Sequence, residues 1–316
     1  MIRLSVLLLL FISAPTACAE EPPSSDYVEP TLTDDDRSHW AFIPPQETDP
    51  PAAGHPDRRN EIDDFVAAAL QDSELTLRPA ADRSTLIRRL CFNLTGLPPT
   101  QDQRDRFLND RDPQAWEKLT DRLLSSKAYG ERWGQHWLDL ARFAETDGFE
   151  HDKVRPEAWK YRDWVIQALN DDMPYDEFIR RQIAGDELYP GDESSATATM
   201  FCLCGPDMPD INLIDERRHT LLNEMTSTIG EAILGLQLGC AQCHDHKYDP
   251  VSQADFYRMR AVFEPAVQLQ KNKSVSVLKE KRPFDRPQHV MLRGDFRRPG
   301  PEISPGVLRV AAAPEF

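Results

Sequence analysis

From Asn60 to about Glu264 the apolar residues return every three or four positions, and no long stretch alternates with period two. That periodicity lines up one face of a helix and is incompatible with half-buried strands, so the body of the chain is expected to be mainly α. Asn60 caps a first helix whose stripe is Ile62, Phe65, Val66, Ala69 and Leu70. Asp82 opens a second, with Leu86, Ile87, Leu90 and Leu94 on one side, stopped by Gly96-Leu97-Pro98-Pro99, and Thr100 opens a short third. Asp112-Pro113 starts a helix carrying Trp116, Leu119 and Leu123. Tyr129, Trp133, Trp137, Leu140 and Ala144 form an aromatic stripe, Trp159 to Leu169 a further helix, and Pro174 to Ile183 another. The longest periodic segment runs from about Leu213 to Leu238, and Ser252 caps a last helix with Phe256, Met259 and Val262-Phe263. Beyond Ala266 the chain reads as extended, with Val275–Leu278 and His289–Leu292 as candidate strands. The fold class expected is therefore mainly α, a multi-helix globular domain at 60–265 followed by a short extended or β tail at 266–316.

The N-terminus sets the compartment. Arg3, the apolar run Leu4–Ile12 and the small residues ending Ala17-Cys18-Ala19 read as a secretory signal occupying 1–19. The run is too short to span a bilayer, so no transmembrane segment is expected after cleavage, and the mature chain belongs in the periplasm or at the cell surface. Residues 20–59 hold eight prolines and read as a linker that lies on a domain or hangs free. A formal charge of −16 argues against nucleic acid as a partner. The exception is 271–298, where nine Lys and Arg face three acids, a local +6 that reads as a solvated or domain-facing tail before it reads as a polyanion site.

Ligand chemistry is densest at Leu238-Gly239-Cys240-Ala241-Gln242-Cys243-His244-Asp245-His246-Lys247-Tyr248-Asp249-Pro250. A covalent haem c needs two cysteines spaced for the two vinyl groups of one porphyrin and a following His for the iron; Cys240, Cys243 and His244 meet that need in a compartment where attachment takes place. The sixth iron position is open. If the helix before the motif is unbroken, Met225 and His219 lie roughly 28 and 38 Å from His244, and His246 is too close in sequence to reach the opposite face. Met259, His136 and His151 remain as remote candidates, His136 reading more readily as a core histidine beside the Trp133/Trp137 stripe. Two rivals stay open: zinc or another divalent metal on Cys240, Cys243, His244 and His246, and a plain Cys240–Cys243 disulfide stapling a helical scaffold. Cys91 reads as a buried small hydrophobe, and Cys202 and Cys204 are too close to bridge each other easily.

A second cluster, Glu145 to Asp152, gathers four carboxylates and His151 around Gly148. Its plain reading is a solvated turn between helices. Its functional reading makes Asp147 and Glu150 the acid/base or metal-binding pair of a haem- or metal-dependent enzyme, which requires a cleft joining 145–152 to 240–249.

Five motifs in order, His39-Trp40-Ala41-Phe42, Asn93–Pro99, Tyr129-Gly130-Glu131-Arg132-Trp133 leading to His136–Arg142, Tyr161–Val165 and Gly239–Lys247, resemble the exported planctomycete cytochrome-associated (PSCyt-type) domain family over about 39–265. The family is one of unknown function, so the resemblance names a relative rather than a reaction. It implies a second domain on the C-terminal side, whose opening His289–Gly306 resembles, and the acids of 145–152 match a family motif. The functional expectation is an exported c-type haem protein that transfers electrons outside the cytoplasm, its partner a redox protein or the missing C-terminal domain.

Overall fold

Side-chain caps start four of the helices where the sequence places them. The computed structural model describes residues 27–52, 54, 58–209, 211–270, 273, 277–281 and 284–312, so the expected signal segment lies outside the described residues. Among them run α1 (Asp34–Ser38), α2 (Glu61–Asp72), α3 (Arg83–Thr95), α4 (Gln101–Asn109), α5 (Ala115–Leu124), α6 (Lys127–Leu140), α7 (Ala158–Asn170), α8 (Tyr175–Leu188), α9 (Glu193–Ala198), α10 (Ile214–Ile229) and α11 (Gln253–Phe263). Asn60, Asp82, Thr100 and Ser252 each accept a backbone N–H from the first turn of the helix that follows, as their position before an apolar period predicts. The fold is mainly α, and the described tail adds one small antiparallel pair, β1 (His289–Met291) with β2 (Pro299–Glu302).

Three apolar clusters hold these elements. The largest joins α7, α8 and α10 through Tyr161, Val165, Phe178, Phe201, Leu222, Met225 and Ile229. At its centre Gln182, fully buried, accepts from the Trp137 indole (2.8 Å) and the Tyr161 hydroxyl (2.7 Å), which satisfies three polar groups where water cannot reach. A second cluster packs Leu238 and Ala241 against Phe256 and Tyr257 of α11 and Val290 of β1. The third joins α3, α4 and α5, with Cys91 inside it as expected.

Several expectations change. On α2 it is Asp64 and Ala67 that are buried, while Ile62, Phe65 and Val66 are exposed, because no described element covers those three side chains. The longest periodic segment is not one helix: α10 ends at Ile229, a π-helical turn covers Gly230–Leu234, and Gly235 at φ +67° reverses the chain. Within the linker, Thr33 caps α1 and the segment from Tyr27 lies on the domain. Val275 and Ser276 fall outside the described residues, and Val277 and Leu278 are not in a strand. Asp192 caps the short α9 and pairs with Arg181. His136 is exposed on α6 and is not a core residue.

Helices α6 and α7 approach closely at Gly130, where an added Cβ would lie 2.5 Å from the Ile166 carbonyl oxygen and 2.6 Å from the Asn170 side chain. In an open helix Gly→Ala stabilises by about 1 kcal/mol. Here the sign reverses: Gly130→Ala is expected to lower stability by about 1–3 kcal/mol in urea denaturation, the cost of overpacking. A stabilised variant would contradict the close approach.

Candidate functional site

The cysteine-histidine motif sits on a 3₁₀ turn, Leu238–Gln242, just past the reversal at Gly235. With three residues per turn, positions three apart share a face. Leu238 and Ala241 therefore go into the core together, at 1% and 0% exposure, and Cys240 and Cys243 both stand in solvent along another edge, with free thiols. The other described cysteines, Cys91, Cys202 and Cys204, are buried and free, and burial raises the thiol pKa of each.

Three side chains tie this turn to the body. The Gln242 carbonyl accepts from the Gln253 amide (2.9 Å) and the Tyr257 hydroxyl (3.0 Å), both from α11. Gln253 also donates to the Met291 carbonyl (2.9 Å), joining the turn to β1. The Gln242 side chain accepts from Asn223 on α10 at 3.1 Å. Gly294, in the hairpin at φ +74°, lies so near that an added Cβ would be 2.6 Å from the Cys243 sulfur. Only glycine fits both the dihedral and the approach.

His244 is exposed, and its Nδ1 lies 2.7 Å from the Asp245 carbonyl oxygen. A carbonyl only accepts, so Nδ1 carries the proton and the neutral ring keeps its Nε2 lone pair for a ligand. Asp245 is itself held: its carboxylate accepts from the Gln253 backbone N–H (2.8 Å) and the Tyr27 hydroxyl (2.8 Å). The Tyr27 hydroxyl in turn accepts from the Ala254 N–H at 3.3 Å. Two residues on, Glu29 accepts from Ser252 (2.8 Å) and pairs with Arg258 and Arg309. The proline-rich segment, read from sequence as a linker, thus braces the motif.

His246 is occupied differently. Its Nδ1 accepts from the Asp249 N–H (2.8 Å) and the Tyr248 N–H (3.3 Å), so it closes the turn after the motif and in its neutral form presents a protonated Nε2. Among the described residues no three His, Cys, Asp or Glu side chains converge as a metal site would require. Met259 lines an apolar cleft with Trp40, Ile183 and Phe263, and none of Cys240, Cys243 or His244 borders that cleft. His136 on α6 and the exposed His151 of the acidic loop pack elsewhere.

His219 is the residue that sequence reasoning discarded. The unbroken helix that kept it distant does not exist, because the chain doubles back at Gly235 and lays Gln242 against α10. His219 Nε2 is 2.9 Å from the Asn223 amide nitrogen, the same amide that reaches Gln242, and its Nδ1 is 3.3 Å from Arg260. The signal that would have found it is Gly235, a helix stop inside the periodic run.

The acidic loop does not share this site. Asp147 is buried and accepts from Arg155 Nε at 3.0 Å, while the same guanidinium donates to the carbonyls of Leu203, Cys204 and Gly205. The carboxylate thus latches 147–155 onto the segment before α10. Glu150 is exposed on the loop. Both clefts that Asp147 lines are bounded by residues of 143–161, 200–212 and Lys273, and neither includes a residue of 240–249. The joining cleft that an enzyme using both clusters requires is not formed by these residues.

With this geometry in view, the sequence comparisons define the class. The model of PSCyt2, described as a protein of unknown function (DUF1549), matches residues 61–268, and the chain belongs to that planctomycete cytochrome-associated family. No curated protein and no solved structure matches it.

Burial, reinforced by the charge of Arg260, lowers the His219 imidazole from 6.5 to about 4. The unfolded chain takes up this proton near pH 6.5 and the folded chain only near pH 4, so stability is full above 6.5 and falls as pH drops through that window. The expected loss is at most about 3 kcal/mol. Urea midpoints measured from pH 7 to pH 4 should show the decline, and His219→Gln should flatten it. An equal slope in both proteins would place the titrating group elsewhere.

Proposed function

We propose that this chain is an exported c-type haem protein that carries electrons outside the cytoplasm. The observation that carries the reading is the state of His244: Nδ1 donates to the Asp245 carbonyl, Nε2 is left with its lone pair, and two exposed free thiols stand on the turn immediately before it. Iron-ligating histidines are commonly fixed in this way, by a hydrogen bond from the other ring nitrogen that sets the tautomer and raises ligand basicity. The residues therefore fit the group. Cys240 and Cys243 would hold a haem covalently and His244 would ligate its iron; bound there, the haem supplies a redox-active centre.

The rest of the work falls to the protein. Asp245 orients the imidazole, and Tyr27 and the α11 N-terminus hold Asp245 against rotation. Gln253 and Tyr257 fix the turn that carries both thiols. Exposure of Cys240, Cys243 and His244 favours exchange with a docking redox partner, or with a following domain, over chemistry on a sequestered substrate. Export, expected from Arg3 and Leu4–Ile12, brings the chain to the compartment where haem is attached. Among the described residues no helix is long and apolar enough to cross a membrane.

A pyridine haemochrome spectrum of the chain produced with a cytochrome c maturation system is the test. Covalent haem is expected in the wild type, with none in Cys240→Ala/Cys243→Ala. His244→Ala should keep haem attached while altering the iron's spectrum. Folded wild-type protein without haem would overturn the reading, and metal analysis of the same sample would then weigh the zinc alternative.

A further inference from the structure

The basic residues of the tail converge with α10 and α11 on a cleft of about 250 Å³, whose lining includes Arg218, His219, Arg260, Arg286 and Arg297, with Asp215 as its acid. Its inner wall carries more positive than negative charge. Arg218 Nε and Arg260 Nη2 bond the two oxygens of a single carboxylate, Glu264, at 2.7 and 3.0 Å. Arg260 is 5% exposed, Glu264 3% and the Arg218 side chain 14%, so one guanidinium charge is in excess where solvent screens it only weakly. The Tyr257 ring, 5.4 Å from Arg260, offsets part of that excess.

Arg260 also keeps a buried donor, Nε, without a hydrogen-bond partner. A buried donor of a charged group left unpaired is costly, and native structures usually supply it with a partner. His219 beside it brings no compensating charge. At the rim, Arg286 pairs with Asp215 at 3.0 Å and Arg297 with Asp295 at 2.9 Å. These pairs are exposed, and exposed pairs hold their side chains weakly, so both guanidiniums can turn to a ligand at little cost.

We propose that this cleft binds a small oxyanion, an inorganic phosphate or sulfate or a carboxylate of similar size, with Arg260 as the inner donor and Arg286 and Arg297 closing over it. Guanidinium is suited to the task because its planar fork matches the oxygens of such anions. The site uses neither Cys240, Cys243 nor His244, so its test is independent of the haem reading.

The experiment titrates inorganic phosphate, and in a parallel series acetate, into the haem-free full chain. Heat is followed by calorimetry and the His219 ring nitrogens by NMR. Saturable one-to-one binding with a shift of the His219 signals is expected. Arg286→Gln/Arg297→Gln, which alters only exposed side chains, should weaken it by about tenfold or more while the thermal unfolding midpoint without ligand stays close to wild type. Acetate binding tighter than phosphate would assign a carboxylate, and the reverse a tetrahedral anion. Absence of saturable binding to either anion, or binding that leaves His219 unmoved or survives the double substitution at full affinity, would overturn the proposal.

Discussion

Burial of Leu238 and Ala241 determines where every reactive side chain of 240–244 points. In a 3₁₀ turn those two residues share one face, and once they enter the cluster of Phe256, Tyr257 and Val290 the two cysteines have only the solvent edge left. The turn is held in that orientation through one backbone group: the Gln242 carbonyl accepts from both Gln253 and Tyr257. Rigid α11 thereby becomes the ruler for the motif. Its first turn also supplies the N–H that fixes Asp245, and Asp245 fixes His244.

The same economy governs the charged residues. Asp147 and Arg155, Asp207 and Arg217, and Glu264 with Arg218 and Arg260 are buried pairs that also bond backbone carbonyls or neighbouring side chains. The first two are matched one acid to one base, as a structural latch should be, since an unmatched buried charge is expensive. The third has two guanidiniums on one carboxylate. The imbalance, beside a cleft and next to the chain's only strongly basic segment, distinguishes a place open to a ligand from a latch.

Much of the fold was legible in the residues. Caps at Asn60, Asp82, Thr100 and Ser252 coincide with the ends of apolar periods, and two independent local signals rarely agree by accident. Periodicity failed where it was asked about neighbours. Ile62, Phe65 and Val66 make a proper helical stripe, yet among the described residues no element covers it, because a stripe records what can be buried and not what is present to bury it. It failed again across Gly235, where apolar spacing continues through a chain reversal and gives His219 a false distance from the motif.

Taken alone, the sequence determined the class of fold, the family, and the clustering of thiols and an imidazole at 240–244, since these depend on local spacing that any conformation of the chain carries with it. It left 145–152 open between a solvated turn and a functional acid pair. Tertiary structure decided which of those residues meet. It gave Asp147 to Arg155, gave His246 to its own turn, and sent Met259 to an apolar cleft. It brought Tyr27 from a proline-rich segment onto Asp245 across more than two hundred residues of chain, and set His219 beside Gln242 through Asn223. The physical reason is that hydrogen bonds and burial act over a few ångströms of space, whatever the separation along the chain.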